Sequence, residues 1–295
     1  MMNRSSCSTI WLAVGALTAL MAAPASAATD SNLEDSEPIF SGLIDVNVGF
    51  RRNDSSRVPT DNQGHFTYGG GGRVNIPLYQ GLSAQFDLQS ETYQLRSNET
   101  VTAEGAHMAT GHLSWRNDKF LVGGFAGGGQ AVSRGSDTAG FVAGGETQAY
   151  LGDVTLYAQA GYGDFKANNG AGFRQGWFTG LEGRYFFREN YGVRTGFTYG
   201  ETGNYLSGGR NGAIFNYGAE IFGRVVQRYP IYATIAYVGG QYDSQSPADQ
   251  GGDDRVLFGA RFLFGTLSAK ENDRRGATLS GPMHPARAAS WAGSF

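Results

Sequence analysis

The 295-residue chain is poor in cysteine, proline and histidine, with 1, 8 and 4 of them. Its one cysteine, Cys7, falls within the first 27 residues, which read as an export signal. The exported protein is therefore expected to hold no disulfide, no thiol nucleophile and no cysteine-bound metal. His65, His107 and His284 show no metal-ligand spacing, and no metal or other cofactor is expected. Charge of one sign is also lacking: 23 basic against 26 acidic residues give a net charge of −3, which leaves no footprint for nucleic acid. Long apolar runs are missing too. Ile10 to Ala23 is too short and wrongly flanked for a permanent helix, and no later stretch approaches the roughly 18 apolar residues that a transmembrane helix needs.

The N-terminus has the three parts of a signal peptide over residues 1–27: basic Arg4, the apolar run, and the small residues Ala25-Ser26-Ala27 before the expected cut. Residues 28–37 are acidic and aperiodic and read as a flexible lead-in. What is abundant is glycine, at 46 residues, and aromatics, at 13 %. Without a Gly-X-Y period, that composition fits many short strands rather than collagen or a disordered chain.

From Ile39 onward, apolar and polar residues alternate in segments of about ten, the length a tilted strand needs to cross a bilayer. Twelve segments are expected, at 41–51, 65–78, 82–93, 106–115, 120–130, 140–151, 154–164, 176–187, 191–200, 213–225, 231–241 and 254–265. Their connections alternate short and long, with long polar ones at 52–64, 94–105, 131–139, 165–175, 201–212 and 242–253. Tight turns at one rim and long loops at the other are the outer-membrane arrangement. A long loop follows the first strand, so both chain ends are expected on the short-turn, periplasmic side.

The turns also set a register. A two-residue turn at Gly152-Asp153 puts Glu146 opposite Gln159 and Ala149 opposite Leu156, and a three-residue turn at Tyr79-Gln80-Gly81 puts Arg73 opposite Asp87 and Val74 opposite Phe86. Polar meets polar and apolar meets apolar. A slip of one residue would invert every side chain.

Over residues 38–265 the chain resembles the bacterial outer-membrane β-barrels, the porin-like superfamily. The last segment, RVLFGARFLF, looks like the closing strand that such proteins present to the barrel-insertion machinery, with Phe264 as its terminal aromatic. The resemblance implies an all-β, 12-stranded antiparallel transmembrane β-barrel in the outer membrane of a Gram-negative bacterium, with lipid and lipopolysaccharide as its surroundings. Residues 266–295 continue past the closing strand and are expected to form a polar periplasmic tail. A soluble lipocalin-type barrel alternates as well, but the export signal, twelve strands and turn asymmetry favour the membrane form.

Ionised groups fall on one face: Asp45, Arg73, Asp87, Glu91, Glu146, Glu182, Arg184, Arg194, Glu220, Arg224 and Arg261. Arg or Lys facing lipid at midplane costs about 2 to 4 kcal/mol, so this face is expected to be the lumen. The turn at Arg188-Glu189-Asn190 places Arg184 beside Arg194. Many inward glycines leave space, which points to a channel for passive diffusion of small hydrophilic solutes; the alternative is a closed barrel acting as a structural or surface-recognition element. No helix inside the lumen is expected, because no window between the strands has a sustained 3.6 period.

One pattern suggests an enzyme, His112-Leu113-Ser114, since residues two apart on a strand share a face and an imidazole can deprotonate a hydroxyl. Outer-membrane lipid hydrolases use a similar pair with a third polar residue about twelve positions on. Here that position is Ala126, so the expectation is that the protein is not an enzyme. Asp243, Asp249, Asp253 and Asp254 read as a solvated acidic loop rather than a cation site.

Overall fold

A computed structural model describes residues 37–55, 64–97, 100–132, 137–167, 172–206, 210–244 and 251–293. The signal segment and all but the last residue of the lead-in lie outside them, as do Asp249 and Phe295. The described residues form twelve antiparallel strands: β1 (Ser41–Ser55), β2 (Gly64–Tyr79), β3 (Leu82–Ser97), β4 (Thr100–Arg116), β5 (Phe120–Val132), β6 (Asp137–Leu151), β7 (Val154–Ala167), β8 (Gly176–Arg188), β9 (Tyr191–Leu206), β10 (Arg210–Val226), β11 (Ile231–Ser244) and β12 (Gly251–Phe264). Each pairs with its chain neighbours, and β1 pairs with β12, so the sheet closes on itself and has no free edge.

At the short-turn rim, expected and observed strand ends agree within a residue or two; at the other rim the strands run further. β4 starts at Thr100 rather than 106, β9 ends at Leu206 rather than 200, and β12 starts at Gly251 rather than 254. Alternating hydrophobicity stops where the apolar belt stops, but backbone pairing in a hairpin needs no apolar face and continues above it.

The register expected from the turns is present: Arg73 faces Asp87, Val74 faces Phe86, Glu146 faces Gln159, and Arg184 faces Arg194. Two turns differ by one residue. β2 pairs as far as Tyr79 opposite Leu82, with a bulge after Pro77, so the turn is Gln80-Gly81, both residues having positive φ. The same device follows Phe186, leaving Glu189-Asn190 as a two-residue turn. Each bulge absorbs the odd residue and keeps the faces in phase.

Outward positions form an apolar surface. Ile44, Val46, Val48 and Phe50 on β1 are exposed, as are Val256, Phe258 and Phe262 on β12. Aromatic side chains gather towards both ends of the outer wall, with Trp115 against Phe120 near the short turns and Trp177 against Tyr199 near the long connections.

The tail overturns two expectations. Residues after Phe264 are not an external polar extension, and the lumen does contain a helix. Gly265, at φ +77, reverses the chain, and α1 (Ala269–Arg275) then crosses the short-turn rim. Ser268 caps α1 by accepting from the Glu271 amide at 3.0 Å, while Glu271 accepts from the Leu267 amide at 2.7 Å, a reciprocal arrangement that satisfies two free donors. Arg274 and Arg275 sit in its last turn, where cations favour the helix dipole. An extended stretch then enters the barrel and leads into α2 (His284–Gly293), which packs against β4, β5, β6, β7 and β9. Pro285 is tolerated in its first turn, where amides have no intrahelical partner, and alanines supply helix propensity.

Candidate functional site

The site is the lumen with the tail docked in it. β3 carries the docking rail: Gln85, Asp87, Gln89 and Glu91 all point inward, and each binds the tail. Gln85 forms two hydrogen bonds with the Leu279 backbone, donating to its carbonyl at 2.9 Å and accepting from its amide at 3.1 Å. Gly281 donates its amide to Asp87 Oδ2 at 2.6 Å, and Gln89 donates to the Gly281 carbonyl at 3.2 Å. Glu91 accepts two bonds from the Arg287 guanidinium, at 3.0 and 2.7 Å. The extended stretch is thus read by side chains much as a neighbouring strand would read it, which satisfies backbone groups that would otherwise be buried unpaired.

Around the short-turn rim, α1 is tied to the turns it crosses. Lys270 Nζ lies 3.0 Å from Asp153, Ser268 donates to Glu189, and Arg274 donates to the Gly152 carbonyl at 2.7 Å. Arg116, 1 % exposed, donates to the carbonyls of Arg274 and Gly276 at 3.1 Å each and so caps the C-terminal end of α1. Asp273 accepts from Thr155 at 2.5 Å and Arg184 at 2.6 Å.

The lumen has two unlike halves. Met108, Phe125, Val142, Phe165, Phe173 and Phe178 form an apolar wall, and Met283, Ala286, Ala288 and Ala289 of the tail are buried in the same cluster. Each buried methyl contributes about 0.8 kcal/mol, and small side chains let the helix approach the wall closely. His284 stands edge-on to Phe178 at 4.5 Å between ring centres. The opposite half keeps its charges and glycines, and a cavity of about 270 Å³ remains there, bordered by Arg73, Gln159, Glu182, Arg194, Asn216 and Glu220. A smaller space of about 60 Å³ continues toward the short turns, and Arg73 and Arg194 border both.

The eleven charges expected to line the lumen are distributed as follows. Glu182 pairs with Arg184 at 2.6 Å, and Glu220 is shared by Arg194 at 3.0 Å and Arg261 at 3.2 Å. Asp87 and Glu146 hold His112 between them at 2.7 Å each, and Tyr157 donates to Glu146 at 2.8 Å. Asp45 is opposite Arg261 in register, and no ion pair of Asp45 is found among the described residues. Arg224 is at the rim, where its guanidinium donates to the carbonyls of Val226, Gln227, Tyr229 and Leu267 and braces the last turn instead of facing the cavity. Gln85, Gln89, Gln148 and Tyr157 are tail contacts that a search for charges passes over, and Arg116 is a charged contact that the sequence reading did not include. The available signal was the inward Met108, Phe125, Val142 and Phe178, since an apolar wall inside a barrel needs something to cover it.

His112 and Ser114 do not act together. Both histidine nitrogens are taken by carboxylates, and Ser114 bonds Ser83 Oγ at 3.3 Å. Asp253 faces inward to Arg51 and Arg255, whereas Asp254 accepts from Tyr217 and Tyr237 outside, so these acids do not converge. Among the described residues, no three His, Cys, Asp or Glu side chains are grouped to hold a metal ion.

No family model matches the chain, and no curated protein matches it in sequence. Solved structures do match by shape. An outer-membrane channel from Pseudomonas putida F1 aligns over 77 % of this chain and 96 % of its own at 10 % identity and a TM-score of 0.53. A KdgM porin in complex with disordered oligogalacturonate aligns over 74 % and 98 % at 10 % identity and 0.42, and a BenF-like porin from Pseudomonas fluorescens Pf-5 over 76 % and 98 % at 9 % identity and 0.38. The fold is that of the bacterial outer-membrane β-barrel channels.

Proposed function

We propose that the protein is an outer-membrane channel for passive diffusion of small hydrophilic solutes, with its C-terminal tail docked in the lumen as a plug. The observation that carries this reading is the polar half-lumen left open beside the tail, about 270 Å³ in volume and bordered by ionised side chains. A barrel built only as a scaffold gains nothing from charged groups placed around an unfilled space. The exposed apolar outer wall supports placement in lipid, where every backbone group must be paired within the barrel. In that setting the short turns and the tail's point of entry face the periplasm. Lipopolysaccharide and lipid surround the wall, and the insertion machinery reads β12.

Single-channel recording in planar bilayers tests this. The full chain is expected to give small discrete openings, and a chain ending at Gly265 larger ones. A folded barrel that stays silent in both forms sinks the channel reading and leaves the closed, structural barrel.

The second reading is favoured by the spread of tail contacts: α1 and the extended stretch bind residues on β3, β4, β8 and the turn between β6 and β7, which suits a permanent plug. Silence of the full chain with conduction by the shortened one would mean that passage requires release of the tail.

A further inference from the structure

Arg73 is the one inward arginine of the polar half whose natural partner is engaged elsewhere. Its cross-strand neighbour is Asp87, but that carboxylate is occupied by His112 at 2.7 Å, the Gly281 amide at 2.6 Å and Gln89 at 3.0 Å. Among the described residues, no carboxylate lies within 4 Å of the Arg73 guanidinium; Asp87 and Asp45 attract it from further away, while Arg194 and Arg261 repel it. Those two arginines share a single carboxylate, Glu220. These three guanidinium groups border the turn-side cavity with Glu220 as their one close acid; Arg184 borders it too, but is paired with Asp273 at 2.6 Å.

On the channel reading, the position also lies on a solute's route. Arg73 and Arg194 border both the 270 Å³ cavity and the 60 Å³ space beyond it, so they flank the junction between the two. A guanidinium withdrawn from bulk water and without a close counter-charge gains most from a planar or tetrahedral oxyanion, which it binds through two parallel N–H bonds.

We propose that Arg73, with Arg194 and Arg261, forms a binding site for a small oxyanion, carboxylate or phosphate, on the open side of the plug. This deepens the channel reading, which supplies the route by which the anion arrives. The docked tail prepares the site, because its Gly281 amide helps hold Asp87 away from Arg73.

The test uses the full chain folded in detergent, titrated calorimetrically at low ionic strength with inorganic phosphate and, separately, with succinate. At least one is expected to bind saturably with unit stoichiometry, and the tighter of the two identifies the anion class. Arg73→Gln is expected to weaken that binding at least tenfold, Arg73→Lys to fall between it and the parent, and Arg188→Gln, at the exposed end of β8, to leave it unchanged. Failure of both anions to bind the folded parent overturns the site, as does equal affinity in the parent and both Arg73 variants. Arg73→Lys keeps the charge and decides the matter if the glutamine variant does not fold. Arg73-dependent binding by a barrel that never conducts would keep the site and remove the channel reading, so the two fail separately.

Discussion

The Gly281 amide meets Asp87 Oδ2 at 2.6 Å, so a carboxylate of the barrel wall grips the tail by its main chain. The same Asp87 accepts from His112 and Gln89, which makes it the point where wall and plug share one hydrogen-bond network. Replacing Asp87 by alanine leaves the Gly281 amide and one His112 nitrogen without partners, each costing about 1 to 3 kcal/mol if buried. Hydrogen exchange across residues 277–293 is expected to quicken by at least about tenfold while the strands keep their protection. Unchanged exchange in the tail would show that Asp87 does not hold it.

Outer and inner faces should respond oppositely to charge. Leu156 and Phe258 are exposed on the outer wall, whereas Gln159 borders the inner cavity. Arginine at Phe258, mid-strand, is expected to cost about 2 to 4 kcal/mol and to block assembly into bilayers, at Leu156, two residues from the start of its strand, to cost less, and at 159 to be tolerated. Heat-modifiable migration on gels reports folding for all three. The reverse pattern would invert the facing of the whole sheet.

Arg184 and Arg194 are neighbours in register, yet they have separate tasks. Arg184 bonds Glu182, Asp273 and Thr278, two of them in the tail, whereas Arg194 bonds Glu220 on the wall and borders both cavities. Arg184→Gln is expected to loosen the tail, by up to about 3 to 5 kcal/mol where the freed acids stay dry. Arg194→Gln is expected to leave the tail in place and shift the zero-current potential toward cations. Tail exchange and reversal potential, measured on both variants, separate the roles; identical behaviour would reject the division.

Much of the barrel was legible because a period of two is a strong signal and a short turn fixes which residues face each other. Arg73 opposite Asp87 followed from counting back from Gly81, and it survived a bulge that the count did not include. Contact did not follow from register. Asp87 turns to His112, and no counting of one strand pair reveals a competitor two strands away. The tail was illegible for a different reason. His284 to Gly293 has too few large apolar residues to look like a buried helix, because what it packs with are methyl groups, and most of the partner surface lies on strands far earlier in the chain, from Met108 to Phe178. Phe125, Val142 and Phe178 carried the missing clue on the wall itself.

The tail's grip should also depend on pH through His284. This imidazole lies in the plug, edge-on to Phe178, and its Nε2 has no hydrogen-bond partner among the described residues. Burial pushes it down to about 3 from 6.5, and the Arg287 charge adds to the effect. The docked form therefore holds a neutral ring where a released tail would take up a proton. Docking is at full strength above about pH 6.5 and weakens as pH falls below it, by roughly 30-fold at pH 5, the loss levelling off near pH 3. The window from pH 6.5 to 5 is where this difference develops. Hydrogen exchange of residues 277–293, corrected for the intrinsic rate, is expected to rise relative to the strands across that window in the parent. In His284→Phe, which keeps the ring contact and cannot take a proton, it is expected to stay flat. A parent with no change between pH 6.5 and 5, or a phenylalanine variant that changes as much as the parent, would exclude His284 as the group that loosens the plug.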